Sequence, residues 1–212
     1  QVVLAQQQIY IEIAKIFRDL TSQVREQLDV LNRIRTQIGI VDALYSRSRF
    51  ASHHRCVAPE FSKRGEVVIV QARHPLLKEK AVPISIALDS HIKAVVISGP
   101  NAGGKTVTIK TIGLMALMNQ FMYYVPANEG TVLPLFSEIY TDIGDDQSIE
   151  ESLSTFSGHM RNIGSILRTC SQQSLIILDE LGSGTDPVEG SALARAIMEF
   201  SVEHSALTLV TS

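Results

Sequence analysis

Ala94–Val95–Val96–Ile97–Ser98 runs directly into Gly99–Pro100–Asn101–Ala102–Gly103–Gly104–Lys105–Thr106. A continuous apolar run that stops at a glycine and a proline predicts a buried strand ending in a turn. The residues after it satisfy the pattern G-x-x-x-x-G-K-[ST] in full. Chemistry explains the spelling. The chain must turn sharply and wrap backbone N–H groups around phosphate oxygens, which glycine permits without a side-chain clash. A helix expected over residues 105 to about 124 then points its positive N-terminus at the same anion. Lys105 supplies a mobile positive charge for the β- and γ-phosphates, and Thr106 a hydroxyl for Mg²⁺. The implied ligands are ATP and Mg²⁺. The spelling alone arises by chance, but here it has the strand before it and the helix after it.

Leu175–Ile176–Ile177–Leu178–Asp179–Glu180 is a second decisive stretch: four aliphatics ending in two carboxylates. Polar groups at the C-terminal edge of a parallel sheet face the ligand crevice. Asp179 can hold Mg²⁺ directly or through water. Glu180 projects differently and can polarise an attacking water, so Glu180 and Lys105 are the candidate catalytic residues. Acids are common at strand ends, and the pair acquires its meaning from the phosphate loop. Gly182–Ser183–Gly184–Thr185–Asp186–Pro187 follows as a tight turn into a helix. It reads either as a plain strand-to-helix connection or as a sensor or dimer contact beside the γ-phosphate.

Working outward, short apolar strands fit residues 67–70, 84–88, 94–98, 138–142, 175–178 and 207–210. Helices fit 155–169 and 187–203. Strands alternating with helices predict an α/β domain with a mainly parallel sheet covered on both faces. This domain is assigned to residues 51–212, and a helical segment to 1–50. In the latter, Ile9, Ile13, Ile16, Leu20, Val24, Leu28, Leu31, Ile34, Ile38, Val41 and Leu44 step by threes and fours. One long amphipathic helix is expected there, roughly 50 Å in length, with a break near Gly39. It is either a connecting rod or a helix packed lengthwise on its own domain. Residues 46–64 read as a polar, locally basic linker, solvated or in contact with nucleic acid. Acidic residues from Asp145 and Asp146 onward precede Ser154 and Thr155, either of which can cap the helix that follows. A capped start rich in hydroxyls is also an anion site. His159 alone is read as structural rather than catalytic.

The 212 residues carry a net charge of −3, with 45% hydrophobic and 19% charged residues. That composition favours a packed core and gives no whole-chain signal for an anionic partner. Two cysteines, Cys56 and Cys170, are too few for a disulfide framework and read as free thiols. No apolar run approaches the ~18 residues of a membrane helix, and no signal peptide is visible. The lack of an initiator Met and a last strand that reads as cut short suggest a piece of a longer protein.

Residues 99–106, then Ser154–Thr155–Phe156, then Asp179–Glu180–Leu181–Gly182–Ser183–Gly184–Thr185–Asp186–Pro187 together resemble the MutS family of ABC-type ATPases. Ala72–Arg73–His74–Pro75 is similar to that family's Arg-His-Pro element. Gly184–Thr185–Asp186–Pro187–Val188–Glu189–Gly190 resembles the second MutS branch, associated with recombination control and collided-ribosome rescue. The resemblance implies a P-loop ATPase of ABC type preceded by a lever helix. It implies a homodimer in which Ser154 and Thr155 complete the partner's ATP site. It also implies a parent protein acting on branched or mismatched DNA or on ribosomes, with a small C-terminal nuclease-like domain outside this sequence. The parent would be cytoplasmic, at the nucleoid or ribosome, or in an organelle of bacterial origin. The adenine pocket falls near residues 82–84, with an ordinary strand as the alternative. Competing readings are a mismatch-repair member, a transporter-type ATPase lacking its Leu-Ser-Gly-Gly-Gln string, and a module that binds nucleotide without turnover.

Overall fold

The computed structural model describes residues 2–100, 103–144, 152–205 and 207–212, with the backbone alone at 152–155. The chain divides into two compact units, the first reaching Arg49 and the second running from Phe50 to Ser212.

The first unit is helical. In place of one helix broken near Gly39, there are two, α1 (Val2–Glu26) and α2 (Leu28–His53). The break falls at Gln27, whose N–H reaches only to the Val24 carbonyl at 3.1 Å. Arg25 stands in the last turn of α1 and Asp29 in the first turn of α2, the signs that the two helix dipoles favour at such ends. Gly39 lies within α2; one interior glycine costs about 1 kcal/mol and does not end a helix. None of the described residues of α1 or α2 is buried. The expected linker over 46–64 is corrected as well. Residues 46–53 contain no glycine or proline and remain helical. Ring contacts continue the turn, with Phe50 and His54 centroids 4.5 Å apart.

The second unit is the expected α/β fold, with two sheets rather than one. The parallel sheet contains β4 (Ala94–Ile97), β6 (Glu138–Asp142), β7 (Ser174–Leu178) and β8 (Leu207–Thr211) in the order β4-β8-β7-β6, and every pairing in it is parallel. The second sheet, in the order β1-β5-β2-β3, joins β1 (Glu60–Phe61), β5 (Val132–Leu133), β2 (Val67–Ala72) and β3 (Ile84–Leu88). There β2 runs antiparallel to both neighbours. Three helices, α3 (Lys105–Gln120), α4 (Ser152–Thr169) and α5 (Pro187–His204), cover the parallel sheet.

Burial follows the strand period of two. Leu175 and Ile177 of β7 face a core shared with Ile109, Ile112 and Met115 of α3. Ile176 and Leu178 face the opposite core, with Ile163 and Ile166 of α4 and Ile197 of α5. A strand buried on both faces needs the unbroken aliphatic run that marks 175–178. Cys56 and Cys170 are free, and burial pushes the Cys56 thiol up to about 11. Among the described residues no helix is long and apolar enough to cross a membrane.

Candidate nucleotide site

The strand order sets the site. The phosphate-loop strand β4 and the acidic strand β7 both pair with β8, in parallel, so their C-terminal ends emerge at one edge. Open parallel sheets bind ligands at that edge.

At the end of β4, the Gly103 N–H donates to the Pro100 carbonyl at 2.8 Å, closing a tight turn. Gly104 caps α3 in the left-handed region (φ 77°), a conformation that glycine adopts freely. The cap residue of α3 is a glycine, with no side chain to spend on the first N–H groups of the helix, which suits them to an anion. Lys105, 8% exposed, donates from Nζ to the Gly99 carbonyl. Its ammonium therefore rests against the loop that it would share with a phosphate. Gly99, Pro100, Gly103, Gly104, Lys105 and Thr106 are brought together here. Asn101 and Ala102 lie outside the described residues.

At the end of β7, the Thr106 hydroxyl donates to Asp179 Oδ1 at 3.2 Å. The Thr211 hydroxyl, at the end of β8, donates to the same oxygen. The Glu180 N–H donates back to Thr211 Oγ1 at 2.8 Å. Glu180 itself adopts a positive φ of 50°, uncommon for a residue with a Cβ. The extended strand conformation thus ends at this residue. Asp179 stays buried at 8% exposure while Glu180 is exposed. Lys105 and Glu180 border one open cleft of ≈ 400 Å³, with Gly182, Gly190 and Ser212.

Ser154 and Thr155 lie within the first turn of α4, which begins at Ser152, so neither occupies the cap position expected of them. Their side chains, and the acidic residues Asp145 and Asp146, lie outside the described residues. His159 is tied to Asp142 through Nδ1 at 2.8 Å. His74, of the Arg-His-Pro stretch, has a buried Nδ1 with no hydrogen-bond partner among the described residues. Burial and the Lys110 ammonium hold its pKa below the ordinary histidine value.

Residues 95–212 match MutS domain V, a stretch that takes in the strand before the phosphate loop, the loop, α4, the acidic strand and β8. The chain belongs to the MutS family. Among curated MutS relatives, the endonuclease MutS2 of Acetivibrio thermocellus is 44% identical over 202 residues, covering 95% of this chain and 26% of the relative. That of Thermotoga neapolitana is 45% identical over 210 residues, covering 99% and 28%. That of Shouchella clausii is 46% identical over 202 residues, covering 95% and 26%. The chain thus spans about a quarter of the length of the curated relatives it matches.

In this MutS domain the turn after the acidic strand is held by close backbone packing that residue types alone only hint at. Asp186 caps α5, accepting from the Val188 N–H at 2.9 Å and the Glu189 N–H at 3.3 Å, with Pro187 opening the helix. Gly182 (φ 85°) and Gly190 then lie back to back. A Cβ on Gly190 would sit 2.2 Å from the Gly182 carbonyl oxygen. Backbone cannot swing aside as a side chain does. Gly190→Ala is therefore expected to lower stability by about 3 kcal/mol, read from the urea midpoint. An alanine variant with an unchanged midpoint would mean that the two segments stand further apart in solution. The sequence carried the glycines but no sign of their pairing. It also carried no sign of Thr211, an ordinary strand residue by type, which joins Asp179 to the Glu180 backbone.

Proposed function

We propose that this MutS domain binds ATP with Mg²⁺ in the cleft between Lys105 and Glu180, hydrolyses it, and pairs with a second copy in the ATP-bound state. The contact between Thr106 and Asp179 at 3.2 Å carries the reading. It joins the first turn of α3 to the residue that follows β7. The donor set fits magnesium. Thr106 Oγ1 and Asp179 Oδ1 are hard oxygens, and Mg²⁺ takes one or two such protein ligands beside phosphates and waters. When bound, the metal supplies neutralisation of the β- and γ-phosphate charge. Lys105 and the first N–H groups of α3 would hold the phosphates, and Glu180 would orient and deprotonate the attacking water. An exposed residue bordering the cleft with Lys105 suits that role. Ser154 and Thr155, at the start of α4, would address the second copy's γ-phosphate with their hydroxyls and the helix dipole.

Sedimentation of the chain with and without Mg²⁺ and a non-hydrolysable ATP analogue tests this reading. A dimer is expected only with both present. A monomer throughout, with analogue binding established by calorimetry, would remove the composite-site part and leave a nucleotide-binding core.

For the parent protein, the reading extends to a clamp that couples this cycle to branched DNA or to a collided ribosome. The relatives are named endonucleases. A nuclease centre of the parent would lie outside this chain.

A further inference from the structure

Asp142 closes β6 and holds two things at once. Its main-chain carbonyl accepts the N–H of Asp179 at 2.9 Å. Its carboxylate, in a residue 6% exposed, accepts from His159 Nδ1 at 2.8 Å and from Asn162 Nδ2 at 2.7 Å. His159 and Asn162 stand three residues apart, on one face of α4. Two donors meeting one buried acceptor fix the rotation of a helix as well as its height.

Apolar packing anchors the early turns of α4 only in part: Met160, half-buried, packs against the core of Ile163, Ile176 and Leu178. Among its described side chains the first fully buried one is Ile163. Ahead of it, Phe156, His159 and Met160 border a cavity of ≈ 40 Å³ whose other wall is Asp179, Glu180 and the turn to Ser183. That space has room for water and polar groups to hold it. The early turns of α4 thus face the acidic turn across a gap, and the hold of Asp142 bridges β6 to the helix beside it.

We propose that Asp142, through its paired hold on His159 and Asn162, carries nucleotide occupancy from Asp179 to the first turn of α4. The proposal rests on the reading of the cleft as a Mg²⁺–ATP site. Asp179 now spends its Oδ1 on the hydroxyls of Thr106 and Thr211. A shift of Asp179 on ligand binding passes to Asp142, because their main chains are hydrogen-bonded. A buried carboxylate with two donors then moves together with the helix that supplies them. The end of this path is the segment that a second copy's triphosphate would meet. Occupancy of one site thereby prepares the surface that completes the other. His159 and Asn162 are positioning residues in this scheme and touch no reacting atom.

Hydrogen exchange over residues 152–160 of the whole chain, read by mass spectrometry with and without Mg²⁺ and a non-hydrolysable ATP analogue, is the test. In the wild type, exchange there is expected to slow about tenfold when the analogue binds. His159→Ala should keep the analogue affinity within about twofold and lose that response. His159→Asn, whose amide nitrogen stands where Nδ1 stood, should keep it. Asn162→Ala gives a second reading should His159→Ala fold poorly, and is expected to weaken the response likewise. A full response in folded His159→Ala and Asn162→Ala overturns the proposal. So does equal loss in His159→Ala and His159→Asn, or a silent α4 in wild type with the analogue bound. Failure of the analogue to bind the wild type is a separate result, which removes the ATP-site reading itself.

Discussion

Glu180→Gln is expected to bind Mg²⁺–ATP within about twofold of the wild type and to hydrolyse it about 10²–10⁴ times more slowly. The substitution keeps the shape of the side chain and one oxygen acceptor while removing the negative charge and the proton-accepting capacity. Its backbone setting should survive. The 2.8 Å bond to Thr211 comes from the Glu180 N–H, and the φ of 50° is a property of the turn. The split between binding and turnover is the informative part, because a side chain that positions water acts in the transition state and contributes little to ground-state affinity. Calorimetry gives the first quantity and phosphate release the second. A fully active variant would assign the water to another group. Parallel losses of affinity and rate would instead mean that Glu180 supports the loop. Asp179 makes the natural contrast. Two hydroxyls converge on one of its oxygens, and its burial suits holding a cation rather than meeting a mobile water.

The elements legible in the sequence are those whose cause is local. Residues 175–178 declare a strand buried on both faces because every position is aliphatic, and Ile176 and Leu178 do enter one core while Leu175 and Ile177 enter the other. The tight turn after β4, closed by the Gly103 N–H on the Pro100 carbonyl, was legible because an apolar run that stops at glycine and proline leaves the chain few alternatives. What the sequence concealed has distant causes. The pairing of Glu60–Phe61 with Val132–Leu133 joins two-residue strands far apart in the chain, too short to show any period. The break at Gln27 carries neither glycine nor proline, and the conspicuous Gly39 pointed elsewhere. Glu180 takes a left-handed conformation with no residue-type signal, imposed by the hydrogen bonds around it. His159 looked like a lone histidine because its partner, Asp142, arrives on a neighbouring strand. Residue types that a site's chemistry demands are written in the sequence, whereas the contacts that orient them appear only once strands and helices meet.

Lys105→Ala is expected to weaken ATP binding by roughly 10- to 150-fold, the equivalent of about 1.5–3 kcal/mol for a charge-assisted hydrogen bond at a partly desolvated site. Lys105 is already largely buried, at 8% exposure, and its ammonium donates to the Gly99 carbonyl. Exchanging that neutral acceptor for a phosphate oxygen gains a charge–charge term at little further desolvation. The loss should be larger for ATP than for ADP, since Lys105 is assigned to the β- and γ-phosphates. Lys110→Ala separates a specific contact from general positive charge. Lys110 lies on the same helix, near enough to His74 to hold its pKa down, and its removal should change ATP affinity by less than about threefold. Calorimetric titration of the two variants decides the matter. Equal and modest losses would mean that the domain attracts nucleotide through its overall field, whereas a large loss confined to Lys105 ties affinity to the loop at 99–106. An unchanged affinity in Lys105→Ala would leave the backbone N–H groups of the loop and of the first turn of α3 as the phosphate anchor. In that case the spelling of the loop would serve to shape its backbone, and the lysine would belong to catalysis alone.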